Sequence, residues 1–234
     1  MSSTEAPNVD LDKPLGALVA ERPARAMVFE RFGIDYCCQG RRSLRDAIAT
    51  AGVDETELVA QLVSVLDDRD ADVDALGPAQ LVEHILGSHH AYLHDELPAL
   101  DALAAKVSGV HEQRHPELAE VARLVSDLRA DLEPHMAKEE RVLFPAIREL
   151  AEGPASFPFG SISNPIRVML AEHDRVGQLL EQLRVASVDY AVPADGCASY
   201  HSLYRRLEHL EADTHRHVHL ENNVLFPAVL GQAE

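Results

Sequence analysis

The stretch HMAKEERVLFPAI (135–147) returns 82 positions later as HVHLENNVLFPAV (217–229). Each copy opens with His-x-x-x-Glu and continues, at the same distance, with Val-Leu-Phe-Pro-Ala. On an α-helix this spacing places an imidazole and a carboxylate one turn apart on one face, about 6 Å along the axis. The repeat therefore predicts two equivalent helices that carry matching halves of one metal site.

The segments upstream of the two copies also correspond, although their sequences differ. His90 lies 45 residues before His135, and His173 lies 44 residues before His217. Each helix–loop–helix half thus supplies one lone histidine and one His-x-x-x-Glu pair. Together the halves offer six candidate metal ligands: His90, His135, Glu139, His173, His217 and Glu221.

The apolar pattern around these residues predicts that all six face the interior. His90 and His173 each interrupt a stripe of apolar residues at spacings of three and four, which is the buried face of a helix. On the repeated segments the same register runs on to Val142 and Val224. Burying these groups without partners would cost several kcal/mol each, and a metal centre removes that cost. The alternative is a hydrogen-bonded polar layer in the core.

Nearly every segment follows the helical period, so we predict an all-α protein. All thirteen histidines lie at or after His84, and an acidic stretch, DDRDADVDALGP (67–78), reads as a linker before them. We therefore predict two domains, a small helical domain at 1–72 and a C-terminal antiparallel four-helix bundle at 73–234. The bundle helices are expected at about 78–107, 116–150, 163–188 and 195–230.

Composition narrows the classes of partner and location. The formal charge of −18 argues against nucleic-acid and anionic-membrane partners, which require a basic patch. The sequence contains no uninterrupted apolar run of about 18 residues, and its N-terminus lacks the basic and apolar regions of a secretory signal. Three cysteines do not make a disulfide framework. We expect a cytoplasmic protein.

The donor types restrict the metal. Nitrogen and oxygen ligands without a thiolate disfavour structural zinc and copper(I). Six ligands for two ions leave open positions for water, an oxo bridge or a diatomic molecule. Two bridging glutamates with two histidines per ion suit non-haem iron, while manganese and zinc stay open as alternatives.

Four motifs taken together resemble the haemerythrin-like RIC ("repair of iron centres") family of di-iron proteins, over almost the whole chain. They are DYCCQGRRSL (35–44), HMAKEERVLFP (135–145), AEHDRVGQLL (171–180) and HLENNVLFP (219–227). The resemblance implies two iron ions in an oxo- and carboxylate-bridged centre, held by the six residues named above. It also implies repair of iron–sulfur clusters damaged by nitrosative or oxidative stress, by iron donation, by nitric oxide reduction, or by both.

Two positions depart from the family pattern. Its cysteine motif usually continues with two glycines, whereas here Gln39 precedes Gly40. His89 stands where an aromatic residue is expected and forms a doublet with His90, and we assign the ligand to His90 because it fits the apolar stripe.

Other functions and partners stay open. A sensor or carrier that binds oxygen or nitric oxide without turnover is the main alternative to repair, and a metal-storage bundle is a third. The expected partners are damaged or apo iron–sulfur proteins and the diatomic ligands NO and O2. Both a monomer and a homodimer fit the sequence.

Four further residues are candidates for catalysis. Cys37 and Cys38, on a helix–helix connection, suit redox, persulfide or iron chemistry, although small buried residues at a turn would look the same. Asp131 lies one turn before His135, and Glu172 adjoins a lone histidine, so either is placed to orient a ligand or carry protons. The alternative for both acids is a solvated surface position.

Overall fold

Four short helices make up the N-terminal part of the chain. The structure, a computed structural model, describes residues 9–65, 73 and 76–232. The four helices are α1 (Leu15–Glu21), α2 (Arg25–Arg31), α3 (Leu44–Ala51) and α4 (Glu55–Ser64). Ser43 caps α3, since its side chain accepts a hydrogen bond from the Asp46 backbone N–H. The two adjacent cysteines lie in the turn that joins α2 to α3.

Four long helices follow, and three of them contain a π-helical segment. The first consists of α5 (Pro78–Ile85), a π segment (Leu86–His90) and α6 (Ala91–His111). The second consists of α7 (Glu117–Lys138), a π segment (Glu139–Leu143) and α8 (Phe144–Glu152). The third is α9 (Ser163–Ala186). The fourth consists of α10 (Ala198–His219), a π segment (Leu220–Leu225) and α11 (Phe226–Gln232).

These helices form a bundle in which α6 packs against α7, α7 against α9, and α10 against α6 and α9. The predicted fold class, a helical bundle behind a small helical region, is confirmed. Among the described residues none belongs to a β-sheet; only two isolated bridges occur. Within that part of the chain, too, each helix is too short or too polar to cross a membrane.

Two of the π segments lie directly in front of the prolines of the repeat. Pro145 and Pro227 lie one residue inside α8 and α11. Proline has no N–H and its ring clashes with the carbonyl four residues earlier, so an α-helical ladder cannot run through it unchanged. A wider π turn lies in front of each of these two prolines, and π turns are frequent at functional sites.

The π turns correct one part of the predicted register. Val142, expected on the inward face, is 44% exposed, whereas Leu143 is buried. A π turn contains one residue more than an α turn, so the residues after Glu139 are rotated by about one position. The fourth helix repeats the shift, because Leu225 is buried while Val224 is only half-buried.

Two apolar clusters fill the bundle and leave a layer between them. One cluster contains residues such as Leu97, Leu128 and Leu207, and the other contains Leu81, Ile166 and Phe226. Along each long helix the candidate ligands lie between the residues of the two clusters. The polar side chains therefore form one buried layer within an apolar core.

The N-terminal helices pack on the bundle beside this layer. Their own apolar cluster includes Val218 of α10, and α1 contacts the π segment Leu220–Leu225. Gly40 permits a close approach, because a Cβ there would lie 2.4 Å from Asn223 Oδ1 and 2.7 Å from the Tyr36 carbonyl oxygen. Gln39 has no positive φ, so the turn does not require a second glycine at that position.

The predicted linker at 67–78 lies mostly outside the described residues, which include only residues 73 and 76–78 of it. The division into domains at 72/73 therefore stays a prediction.

Candidate metal centre

The structure brings all six candidate ligands together in the buried layer. Four groups, His90, His217, Glu139 and Glu221, have donor atoms within 4.8 Å of one another. A second set with the same limit joins His135 and His173 to the same two glutamates. Each of the six side chains is at most 1% exposed. The arrangement is two sites, each with two imidazoles, that share both carboxylates.

The carboxylate of Glu221 lies between the two sites. Its Oε1 is 3.1 Å from His217 Nε2, and its Oε2 is 3.0 Å from His173 Nε2. One oxygen therefore faces an imidazole of each set.

Glu139 also faces both sets, through a single oxygen. Its Oε2 is 3.2 Å from His135 Nε2 and 3.4 Å from His90 Nε2. Neither oxygen of Glu139 has a hydrogen bond of acceptable geometry within the described structure. A fully buried carboxylate in that condition is costly unless a cation neutralises it, so the site fits a metal.

Hydrogen bonds at Nδ1, on the side of the ring away from the centre, orient three of the imidazoles so that Nε2 points inward. The hydrogen bonds are His90 Nδ1–H to Glu140 Oε1 (3.0 Å), His135 Nδ1–H to Glu172 Oε2 (3.0 Å) and His173 Nδ1–H to Asn222 Oδ1 (2.8 Å). A proton held at Nδ1 leaves the Nε2 lone pair free for a metal.

The inward nitrogens meet in pairs. His135 Nε2 lies 3.0 Å from His173 Nε2, and His90 Nε2 lies 3.2 Å from His217 Nε2. Without metal, a proton on one nitrogen of each pair allows a hydrogen bond, and with metal the two nitrogens lie close enough to bind one cation. The donor set thus fits a metal, with two imidazoles and the two shared carboxylates in each group.

His217 is supported differently from the other three ligands. Its Nδ1 has no hydrogen-bond acceptor among the described residues. Its ring instead stacks on His89, with centroids 5.5 Å apart and planes 5° from parallel. His89 Nδ1 donates to Asp213 Oδ1 at 2.9 Å, so His89 packs behind a candidate ligand and lies outside both donor sets.

Charges in the layer are strongly coupled. Burial alone lowers the pKa of His135, but the carboxylates of Glu139, Glu221 and Glu172 outweigh it and raise that pKa to about 9. Burial and Glu221 push the pKa of Glu139 upward, but the imidazoles of His135 and His90 hold it below its ordinary value. The metal-free layer therefore favours ionised carboxylates, which are the form that binds metal.

The two predicted acids occupy different positions. Glu172 accepts the hydrogen bond from His135 and also pairs with Lys138, so it lies against a candidate ligand on a neighbouring helix. Asp131 forms an ion pair with Arg175 at the bundle surface. The contacts place Glu172, and not Asp131, beside an imidazole.

Sequence reasoning missed Glu140 and Asn222, which orient the two lone histidines. They hold the same place in the repeat, immediately after Glu139 and Glu221. The repeat shows that the two positions correspond to each other. Their hydrogen-bond partners lie on other helices, however, so only the fold shows those contacts.

The cysteine pair lies next to the candidate centre. Cys38 Sγ donates to the His173 carbonyl oxygen at 3.3 Å. Asn222 accepts the hydrogen bond from His173 and donates through Nδ2 to the Cys37 carbonyl oxygen at 3.4 Å. The backbone of the dithiol turn is thus joined through one side chain to a candidate metal ligand.

Comparison with known proteins agrees with this geometry. Residues 81–229 match the family described as "Hemerythrin HHE cation binding domain", and residues 11–66 match a domain of unknown function, DUF542, named ScdA_N. The chain is 35% identical over 222 residues to the iron-sulfur cluster repair protein YtfE of Enterobacter sp. (strain 638), covering 94% of this chain and 97% of that protein.

It is also 33% identical over 211 residues to the iron-sulfur cluster repair protein ScdA of Staphylococcus haemolyticus (strain JCSC1435), covering 89% of this chain and 94% of the relative. This chain belongs to the haemerythrin-like RIC family. Its YtfE relative from Escherichia coli O157:H7 is 33% identical over 220 residues, again with 94% and 97% coverage. The bundle of this RIC protein is therefore a cation-binding domain, and its haemerythrin relationship implies iron.

Proposed function

We propose that this RIC protein uses a di-iron centre to repair iron–sulfur clusters damaged by nitrosative or oxidative stress. One observation supports the proposal above all others, namely two donor sets that share Glu139 and Glu221. We assign the six residues of these sets as the side chains that would hold it, with both carboxylates common to the two sets. The names of the relatives, iron–sulfur cluster repair proteins, support the choice of clients.

When bound, two adjacent ferrous ions supply two electrons and open positions for small ligands such as nitric oxide. The protein contributes the surroundings of that chemistry. The buried layer excludes bulk water, and Glu140, Glu172 and Asn222 hold three imidazoles in the metal-binding tautomer. Reduction of two NO molecules to N2O and water consumes two electrons and two protons, and iron donation to an apo-cluster is the second route of repair.

The position of the cysteine pair favours repair over a gas sensor or carrier. A module that only binds oxygen or nitric oxide has no need of a dithiol against one of its metal ligands. We place this chemistry in the cytoplasm, where a reducing environment keeps Cys37 and Cys38 as the free thiols seen in the structure.

The test compares three activities of the reduced, iron-loaded protein. Anaerobic assays measure nitric oxide consumption, iron transfer to an apo-cluster protein, and recovery of a cluster enzyme damaged by nitric oxide. We expect cluster recovery together with at least one of the other two activities. Stoichiometric binding of nitric oxide without turnover, transfer or recovery would favour the sensor.

The Cys37→Ala variant separates the dithiol from the metal. We expect the iron content of its dinuclear centre to match the wild type, because the His/Glu donor sets contain no sulfur, while cluster recovery falls several-fold. Cys197→Ala is the matched control, since that thiol is exposed at the start of α10. Loss of iron from the dinuclear centre of Cys37→Ala would show instead that the thiols are ligands of that centre.

A further inference from the structure

A second group of metal-ligating side chains lies in the turn between α2 and α3. The two sulfur atoms of Cys37 and Cys38 are 3.8 Å apart, and Cys37 Sγ is 3.2 Å from Asp35 Oδ1. Donor atoms of these three residues all lie within 4.8 Å of one another. Two thiolates bound at about 2.3 Å to one tetrahedral cation would be separated by about 3.8 Å, which is the separation seen here.

The turn holds this geometry through its own backbone. Asp35 Oδ1 accepts hydrogen bonds from the backbone N–H groups of Cys37 (3.0 Å) and Cys38 (2.9 Å). Gly177 of α9 leaves room for the second sulfur, since a Cβ at that position would lie 3.2 Å from Cys38 Sγ. The two thiols are thus arranged on one side of a fixed turn before any cation binds.

The surroundings of the turn supply an entry route. Cys38 and Asp35 line a cavity of about 610 Å³ between the N-terminal helices and the helices α9 and α10. Its wall carries four more acidic residues, Glu30, Asp174, Glu181 and Glu211, against two arginines, Arg42 and Arg184. An acidic cleft concentrates cations, and an open cavity leaves a fourth coordination position for water or for a donor group of a client.

We propose that Asp35, Cys37 and Cys38 form a mononuclear site for a thiophilic divalent cation, such as Fe²⁺ or Zn²⁺, separate from the dinuclear centre. Binding forms two metal–sulfur bonds and one metal–carboxylate bond, and it releases the two thiol protons to solvent without any change of oxidation state. The site shares no donor with the His/Glu sets. It goes beyond the proposed repair function and does not depend on it.

In the metal-free turn Cys37 is held as a neutral thiol, so a cation must displace its proton. The hydrogen bond to Cys38, burial and the nearby Asp35 carboxylate raise the pKa of the Cys37 thiol well above its ordinary value. Without a cation the thiol stays protonated, because a second negative charge beside Asp35 is unfavourable. A bound cation would supply the missing positive charge.

A cobalt(II) titration of the full-length metal-free protein under anaerobic, phosphine-reduced conditions tests the site. Thiolate coordination gives a sulfur-to-cobalt charge-transfer band in the near ultraviolet, which the His/Glu centre cannot produce. We expect about one equivalent of cobalt to develop this band. The Asp35→Asn variant keeps a side-chain oxygen that accepts the backbone hydrogen bonds of the turn but removes the negative charge. We expect it to bind cobalt about tenfold more weakly, or roughly 1.4 kcal/mol.

The variants decide the assignment. Cys38→Ser, at a half-buried position, and Cys37→Ser should each abolish the band, while Cys197→Ser should leave it unchanged. Should Cys37→Ser fail to fold by circular dichroism, Cys38→Ser alone decides. No charge-transfer band in the wild type, or a band that survives in Cys38→Ser, would overturn the proposal. The iron content of the dinuclear centre is measured separately. A dinuclear centre that binds no iron would contradict the proposed repair function, but it would leave the mononuclear site untouched.

Discussion

At the scale of single residues, the ability of the centre to bind metal depends on which donor atoms have no hydrogen-bond partner. Three imidazoles have an acceptor at Nδ1, and the carboxylate oxygens of Glu139 have no hydrogen bond among the described residues. Three of the four imidazoles therefore direct Nε2 toward the centre, and Glu139 directs a carboxylate toward it. Both carboxylates face the two donor sets, so removing the charge of one carboxylate should act mainly on metal affinity.

Glu139→Gln should reduce iron occupancy to less than about half of the wild-type value, because the amide keeps the shape of the side chain but loses the charge that faces both donor sets. Iron per chain is measured after anaerobic reconstitution and gel filtration. Glu133→Gln, on the same helix but paired with Arg129 at the surface, is the control. Equal iron content in the two variants would reject Glu139 as a ligand.

Glu172→Gln should weaken iron binding about tenfold or more, since the carboxylate that orients His135 is replaced by a weaker acceptor. Competition with a chelator of known affinity measures the change. Asp131→Asn serves for comparison, because its described partner is Arg175, and it should shift the affinity less than twofold. A larger effect of Asp131→Asn would show that the acid acts on the centre through solvent.

At the scale of elements, small residues allow the N-terminal helices to reach the π segment of the fourth helix. Gly16 of α1 faces Asn223, and a Cβ on it would lie 2.4 Å from Asn223 Oδ1. Asn223 in turn donates to the Cys37 carbonyl oxygen at 3.3 Å. The same π turn that positions Glu221 therefore also presents the amide on which the dithiol turn rests.

Gly16→Ala should destabilise the protein by about 1–2 kcal/mol. Overpacking against Asn223 costs about 1–3 kcal/mol, and the better helix propensity of alanine returns up to about 1 kcal/mol. Urea denaturation measures the difference. Gly109→Ala, in α6 with open space around the added Cβ, should be neutral or stabilising.

Combining Gly16→Ala with Asn223→Ala should recover part of the loss, because the contacting amide is then absent. If the two changes in unfolding free energy were strictly additive, the loss in Gly16→Ala would not come from its contact with the Asn223 side chain.

At the scale of the whole molecule, the polar layer joins all four bundle helices between two apolar clusters. Without metal the layer places two carboxylates and four imidazoles in the core with incomplete hydrogen bonding. Each metal ion would connect side chains from different helices. Metal binding should therefore stabilise the bundle as a unit.

Removing iron with a chelator should lower the thermal unfolding midpoint, and restoring ferrous iron should reverse the change. A ligand at 1,000 times its Kd stabilises the native state by about 4 kcal/mol, so a shift of several degrees is expected. Circular dichroism during heating measures the midpoint with and without chelator. An unchanged midpoint would mean that the buried layer is satisfied without metal.

The sequence by itself determined the class of fold, the four long helices and the six candidate donors. These features are carried by local information, since a period of 3.6 residues and an exact repeat spacing are visible along the chain. The repeat also contained the positions of Glu140 and Asn222, although their partners could not be read from it.

Only the tertiary structure decided how the donors group, with His90 beside His217 and His135 beside His173. It also decided the register after Glu139, where a π turn exposes Val142, and the contact of the cysteine turn with α9. Pairings of this kind depend on how distant helices pack and on which polar groups then find partners, and helical periodicity carries no information about either.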